Sequence, residues 1–356
     1  MTFLATDQLA ELKDLGYLVV SEVPGLLDAV GLVAEEYDDV LDELLDEMRS
    51  SGKLSFDIPR ELGFAARMTE VFRETGADYS DYFNIALQPD GVTETSRYRA
   101  SPAIFRLLRE PGLLDVVESV LGSEILATPI LYVRLKMPHR MLNRCASQPL
   151  VEPTAPHQDN SGLPPEADLT QMLTVWIPMS DVTETNGCIQ VWPGSHLQGV
   201  LPHRIEPGRT AIMPEALAEL GPPVAVPVRY GAVLLMHRRV VHAALPNRDQ
   251  IMRWSFDLRY QPADQPLVRA FMPSFLARSR AHPELELRDS EQWDHRWSET
   301  RHQLAQAGTP QFHRWVDAGL VGQEHTQFSG SNYRHPHDDK SPQGRPSRKR
   351  VDGLLE

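Results

Sequence analysis

The stretch GAVLLMHRRVVHAALPNRDQIMRWSFDLRY, residues 231–260, decides how this chain folds. Its two ends, AVLLMH and RWSFDLRY, are short runs of branched and aromatic residues, set apart by Pro, Asn and charged residues. Runs of that length and composition, interrupted by turn formers, read as β-strands. Working outward, ILYVRLKM (130–137), MLTVWIPM (172–179) and CIQVW (188–192) have the same character. Their number and spacing between residues 125 and 262 predict an antiparallel two-sheet barrel or jelly roll.

The flanks read differently. Over residues 6–52 the pattern is helical, with Val33, Tyr37, Val40, Leu41, Leu44 and Met48 on one face and a dense set of Asp and Glu on the rest, read as a solvated surface. A helix is also expected over 101–121, with Pro102 in its first turn and Gly122 as its stop. After residue 278 the chain turns helical and polar, and beyond residue 329 it has almost no apolar side chains to order it. The expected division is a helical portion 1–124, a jelly-roll catalytic core 125–262, a helical extension 263–328 and a flexible tail 329–356, forming one functional unit. The fold class is mainly β with flanking helices (α+β), around a double-stranded β-helix of jelly-roll or cupin type.

Bulk properties narrow the function. With 356 residues, 41% of them hydrophobic, the chain can bury a sizeable core. Asp and Glu number 49 against 35 Lys and Arg, a net charge of -14, which disfavours nucleic acid and anionic membranes as partners. Two cysteines, Cys145 and Cys188, make neither a disulfide framework nor a thiolate zinc site. No stretch approaches the roughly 18–20 continuous apolar residues of a membrane span, and the N-terminus lacks the order of a signal peptide. The expectation is a cytoplasmic protein acting on a small molecule, its oligomeric state left open.

One constellation carries chemistry. His157 and Asp159, in APHQDNSG, are two apart, so on extended backbone both point the same way and can reach one ion. The motif alone is weak, because His337 and Asp339 repeat it in the tail. The first copy gains weight from the strands around it and from His242, which ends the apolar run from 231. Two histidines and one carboxylate on one face make the facial triad of non-haem Fe(II) oxygenases, with positions left open for chemistry. His237 competes for the third place, but five residues from His242 it would face the other way on a regular strand. His242 is chosen because Arg253 and Ser255 follow it. A guanidinium beside a hydroxyl suits one carboxylate, the alternative being a wall salt bridge to Asp257.

In combination these residues resemble the phytanoyl-CoA dioxygenase-like family of Fe(II)- and 2-oxoglutarate-dependent oxygenases. The likeness runs through HQD (157–159), the strand with Trp176, ETNGCIQVWPGSH (184–196), YGAVLLMH (230–237), HAALPN (242–247) and RWS (253–255), and includes an opening helix and strand over 7–20. It implies His157, Asp159 and His242 as iron ligands, Arg253 and Ser255 on the distal carboxylate of 2-oxoglutarate, and Trp176 and Thr174 as walls beside that cosubstrate. It also implies dioxygen as oxidant. Halogenating relatives lack the carboxylate ligand, so Asp159 favours hydroxylation or a related oxidation. Asn186-Gly187 and Pro193-Gly194-Ser195 read as turns, and His196 as a turn-stabilising side chain rather than a neighbour of the metal. Arg134 stands where relatives often place a neutral amide and is a candidate substrate contact. Segments 138–156 and 197–226 are candidate lids. The competing readings are a cupin-type metal enzyme that does not use 2-oxoglutarate, and a non-catalytic binding protein on the same fold.

Overall fold

A computed structural model describes residues 3–77, 79–89, 91–144, 153–206, 209–312 and 314. The strands are β1 (Tyr17–Val20), β2 (Glu124–Ala127), β3 (Tyr132–Lys136), β4 (Leu173–Pro178), β5 (Ile189–Trp192), β6 (His203–Glu206), β7 (Arg209–Ile212), β8 (Val224–Val226), β9 (Val233–His237), β10 (Val241–Ala244), β11 (Arg253–Pro262) and β12 (Phe275–Ser279). A large antiparallel sheet has the order β1-β9-β4-β11-β2-β12, with β3 also paired to β11. A smaller sheet has the order β10-β5-β8, and His157 bridges to His242 at its edge. Following the chain, β3 lies in the large sheet, residue 157 in the small, β4 in the large, β5 and β8 in the small, β9 in the large, β10 in the small and β11 in the large. This alternation is the winding of a double-stranded β-helix, and the fold is α+β around a jelly-roll core.

Strand β11 shows why the sheets pack as they do, since all ten of its residues are buried. Trp254, Phe256, Leu258 and Tyr260 join the apolar cluster under the helices, while Arg253, Asp257 and Arg259 line the space between the sheets. The period-2 alternation thus separates a greasy outer face from a charged inner one.

Helices α1 (Thr6–Leu15), α2 (Leu26–Ser50), α3 (Gly63–Thr75), α4 (Pro102–Leu108), α5 (Pro111–Leu121), α6 (Pro214–Ala218) and α7 (Ser290–Ala307) surround this core. Helix α2 buries the stripe expected of it, and the Tyr37 ring packs 5.6 Å from Trp254 and 5.5 Å from Phe256. The opposite face is less solvated than expected: Arg60 and Arg67 reach over it to Asp38, Asp39 and Asp42, and Arg67 is itself buried. Among the described residues, no helix is long and apolar enough to cross a membrane.

Four further expectations change. Residues 101–121 form two helices, because Pro111 cannot continue α4 and instead opens α5. The large sheet extends beyond 125–262, taking in β1 and β12, since β9 and β2 each offer an edge. The stretch 263–328 accordingly contains a strand before its helix. Segment 197–226 is no bare loop: it holds the β6–β7 hairpin, α6 and β8. The tail expected over 329–356, with His337 and Asp339, lies outside the described residues.

Candidate metal centre

The run from 231 to 242 does not form one strand. Val240 N–H bonds to the His237 carbonyl at 2.9 Å, closing a turn that sends β9 into the large sheet and β10 into the small one. His237 is therefore separated from the candidate site by a change of sheet rather than by strand parity. Its ring packs 4.9 Å from that of His196. His196 in turn bonds through Nε2 to the Lys13 carbonyl at 2.9 Å. Its role is to dock the end of α1, not to stabilise a local turn.

His157 and His242 are paired by two reciprocal backbone hydrogen bonds of 3.0 Å, and their rings lie 4.3 Å apart. His157 Nδ1 is 2.9 Å from the Ala155 carbonyl and His242 Nδ1 is 3.1 Å from the Val240 carbonyl. A carbonyl only accepts, so in both rings Nδ1 carries the proton and Nε2 presents its lone pair. Those Nε2 atoms lie 3.9 and 4.0 Å from Asp159 Oδ1. All three ligand-type atoms fall within 4.8 Å of one another, a spacing one ion could bridge. Burial, with the neighbouring His242 ring, pulls His157 down to about 3, so its imidazole is neutral and able to donate its lone pair near neutral pH.

Asp159 opens a short 3-10 turn, after Gln158 has carried the extended backbone from His157. Gln158 pins this segment: its Nε2 donates to the carbonyls of Gly199 and Arg239 at 2.9 and 2.6 Å, and its Oε1 accepts from Leu201 N–H at 2.8 Å. The Asp159 carboxylate is itself held. Thr174 donates its hydroxyl to Oδ2, and Arg259 donates Nη2 to Oδ1 at 2.8 Å and Nε to Oδ2 at 3.3 Å. Burial pushes the carboxyl upward, but the Arg259 guanidinium and the two histidines outweigh it and hold Asp159 far below the usual carboxylate range.

Arg253 lies deeper in the same cavity, which Trp176, Thr174, Arg134, Met236 and the two histidines also line. It is 2% exposed. Its Nη1 donates to Ser255 Oγ at 3.0 Å and its Nη2 to the Gly187 carbonyl at 2.8 Å. Its Nε has no partner among the described residues, and the guanidinium carbon sits 5.6 Å from the Trp176 ring. Burial pulls Arg253 down to about 10, which leaves it charged near neutral pH. Among the described residues no carboxylate pairs with it, because Asp257 is engaged by Arg134 at 2.9 Å. The turn at 186–187 thus has a part in the site, supplying the carbonyl that steers Arg253. A Cβ on Gly187 would stand 2.7 Å from the Leu245 carbonyl.

The structure brings His157, Asp159, His242, Thr174, Trp176, Arg134, Arg253 and Ser255 to one region. Sequence reasoning missed Arg259 and Gln158. Arg259 left a signal: it is two residues beyond Asp257 and six beyond Arg253, on the face of β11 that must look inward. Gln158 left none, since its side-chain partners are backbone groups brought in by distant turns.

A jelly roll with two histidines and one carboxylate gathered between its sheets defines a class, the cupin-like proteins with a candidate mononuclear metal centre. The family model for Phytanoyl-CoA dioxygenase (PhyH) matches residues 16–255, and the chain belongs to that family. Bovine (Bos taurus) phytanoyl-CoA dioxygenase domain-containing protein 1 is 33% identical over 115 residues, 31% of this chain. That match spans only 39% of the relative's length. The 1-deoxypentalenic acid 11-beta-hydroxylase of Streptomyces arenae is 29% identical over 167 residues, 44% of this chain and 56% of the relative. Among solved structures, the epimerase SnoN in complex with Fe3+, alpha ketoglutarate and nogalamycin RO is 24% identical, with a TM-score of 0.44 over 74% of this chain and 87% of that one.

Proposed function

We propose that this chain is an iron(II)- and 2-oxoglutarate-dependent oxygenase that hydroxylates, or otherwise oxidises, a carbon of a small molecule in the cytoplasm. The observation that carries this reading is that both histidines of the three-ligand cluster line the same cavity as a buried guanidinium, that of Arg253, which has no carboxylate partner among the described residues. Family membership supports it, as does the Streptomyces arenae relative, a 1-deoxypentalenic acid 11-beta-hydroxylase.

The residues fit the implied groups. His157 and His242 offer Nε2 lone pairs and Asp159 a carboxylate, a donor set that suits iron(II) and leaves room for exogenous ligands. Arg253, with an unpartnered Nε and a hydroxyl neighbour in Ser255, suits the far carboxylate of a keto acid. When bound, the iron and the keto acid together supply the oxidising power drawn from dioxygen. The chain's own part is positioning. Arg253 and Ser255 hold one end of the cosubstrate, Trp176 walls it from solvent, and the Asp257 carboxylate steadies Arg134 at the cavity edge, where it is a candidate contact for substrate.

The test is succinate formation from 2-oxoglutarate by the iron-loaded protein, alone and with panels of small organic acids, alongside His157→Ala and Asp159→Ala. Both variants should lose metal binding and 2-oxoglutarate turnover. Full retention of either property would sink the assignment, and iron-dependent turnover without 2-oxoglutarate would move the protein to another enzyme class.

A further inference from the structure

We propose that Arg259 is a built-in counter-cation for Asp159, a positioning residue that keeps the three-ligand cluster assembled and charge-balanced when no metal is bound. The inference rests on reading that cluster as a metal site.

Three observations converge on it. First, Arg259 grips both oxygens of Asp159, and Oδ1, which it contacts at 2.8 Å, is the same atom that faces the two histidines. Second, the guanidinium is fixed from behind: Nη1 donates to the Ile130 carbonyl at 3.2 Å, and Tyr132 lies under it at 5.4 Å. Third, Arg259 is the cross-strand partner of Thr174, so the two groups that hold Asp159 come from directly opposed positions on β11 and β4. Asp257, the one acid of β11, is bonded to Arg134 instead. The side chains of Arg259 and Asp159 are 4% and 6% exposed, so bulk water screens the pair little.

The physical need is plain. A carboxylate buried away from bulk water to await a cation is costly when unpaired. The site needs a fixed positive group that compensates it. A guanidinium does, and because arginine stays protonated the compensation persists at any pH at which the protein is folded. The two-point grip also fixes the plane of the carboxylate, which a single hydroxyl from Thr174 cannot do.

The experiment is a double-mutant cycle on the metal-free protein, using Arg259→Gln, Asp159→Asn and the pair, read by thermal unfolding with and without Mn(II). Arg259→Gln should lower the metal-free midpoint by roughly 5–10 °C, as expected when one partner of a buried ion pair is removed. It should also enlarge the rise that Mn(II) produces, because the ion then supplies the missing positive charge. In the double variant most of the metal-free loss should be recovered, since no carboxylate is left unpaired. An unchanged metal-free midpoint in Arg259→Gln, or strictly additive effects in the cycle, would overturn the proposal. If Arg259→Gln does not fold, recovery of folded protein by adding Asp159→Asn supports it and failure to recover refutes it. A wild-type protein whose midpoint ignores Mn(II) would count against the metal reading alone, because the coupling between Arg259 and Asp159 is measured without metal.

Discussion

His157 and His242, 85 positions apart in sequence, exchange both backbone hydrogen bonds across an isolated bridge while each turns Nδ1 to a carbonyl two residues before it. The two imidazoles are thus fixed by main chain on both sides, and their Nε2 atoms are presented together. Replacing His242 by Gln keeps a polar side chain but removes that lone pair. Metal affinity should fall by at least about a hundredfold, more than outer contacts typically contribute, with little change in the circular dichroism spectrum. Titration with Co(II), followed by its visible absorption, checks this; unaltered affinity would remove His242 from the ligand set.

Thr174→Val keeps the shape of the side chain and deletes the hydroxyl that Asp159 Oδ2 accepts from. Metal affinity should weaken by about 10- to 100-fold, the usual range for a group that orients a ligand. Stability should drop by about 1 kcal/mol. The same Co(II) titration, paired with urea unfolding, separates the two effects.

Arg253→Lys preserves charge but not the planar fork that Ser255 and the Gly187 carbonyl orient. The KM for 2-oxoglutarate should rise by roughly tenfold or more, because a point charge cannot reproduce two-point carboxylate contact. Binding of Mn(II) in the absence of cosubstrate should not move. A parallel loss of both would mean that Arg253 supports the metal site rather than the cosubstrate.

Two histidines outside the ligand set make stability depend on pH. Burial holds His203 at about 4 and His237 at about 3. In the unfolded chain both return to about 6.5, so between that value and their folded values the unfolded state binds more protons. Stability must therefore fall as pH drops from about 6.5 towards 4, by up to about 1.4 kcal/mol per pH unit for each histidine. Urea midpoints should decrease from pH 7 to pH 5, still above the ordinary carboxylate range, and His237→Gln should flatten the slope. A midpoint that does not change over this interval contradicts the argument.

Gly16 caps α1 with φ of 83°, and a Cβ there would stand 2.4 Å from His196 Nδ1. Gly16→Ala combines backbone strain with a clash against a side chain anchored to Lys13, so a loss of about 2–4 kcal/mol is expected. Chemical denaturation measures it. The double variant Gly16→Ala with His196→Ala should recover the part due to the clash.

What the sequence determined by itself was local. Period-2 alternation in RWSFDLRY placed Arg253 and Ser255 on one face and Trp254 on the other, and the stripe on α2 showed which side would be buried. The break at residues 109–110 was legible in the same way, since Pro111 cannot continue a helix, although the longer periodicity hid it. The residue types at 157, 159, 242 and 253 named the chemistry, because only certain donors suit a metal or a carboxylate. Tertiary structure decided the rest. Residues 231–242 divide between two sheets because the turn at His237–Val240 closes there, and that division, not strand parity, puts His242 beside His157 and sends His237 to His196. Arg259 meets Asp159 only because β11 lies against β4, one hundred residues from the carboxylate it holds. A strand's own pattern says which way a side chain points; what waits there is set by the strands folded against it.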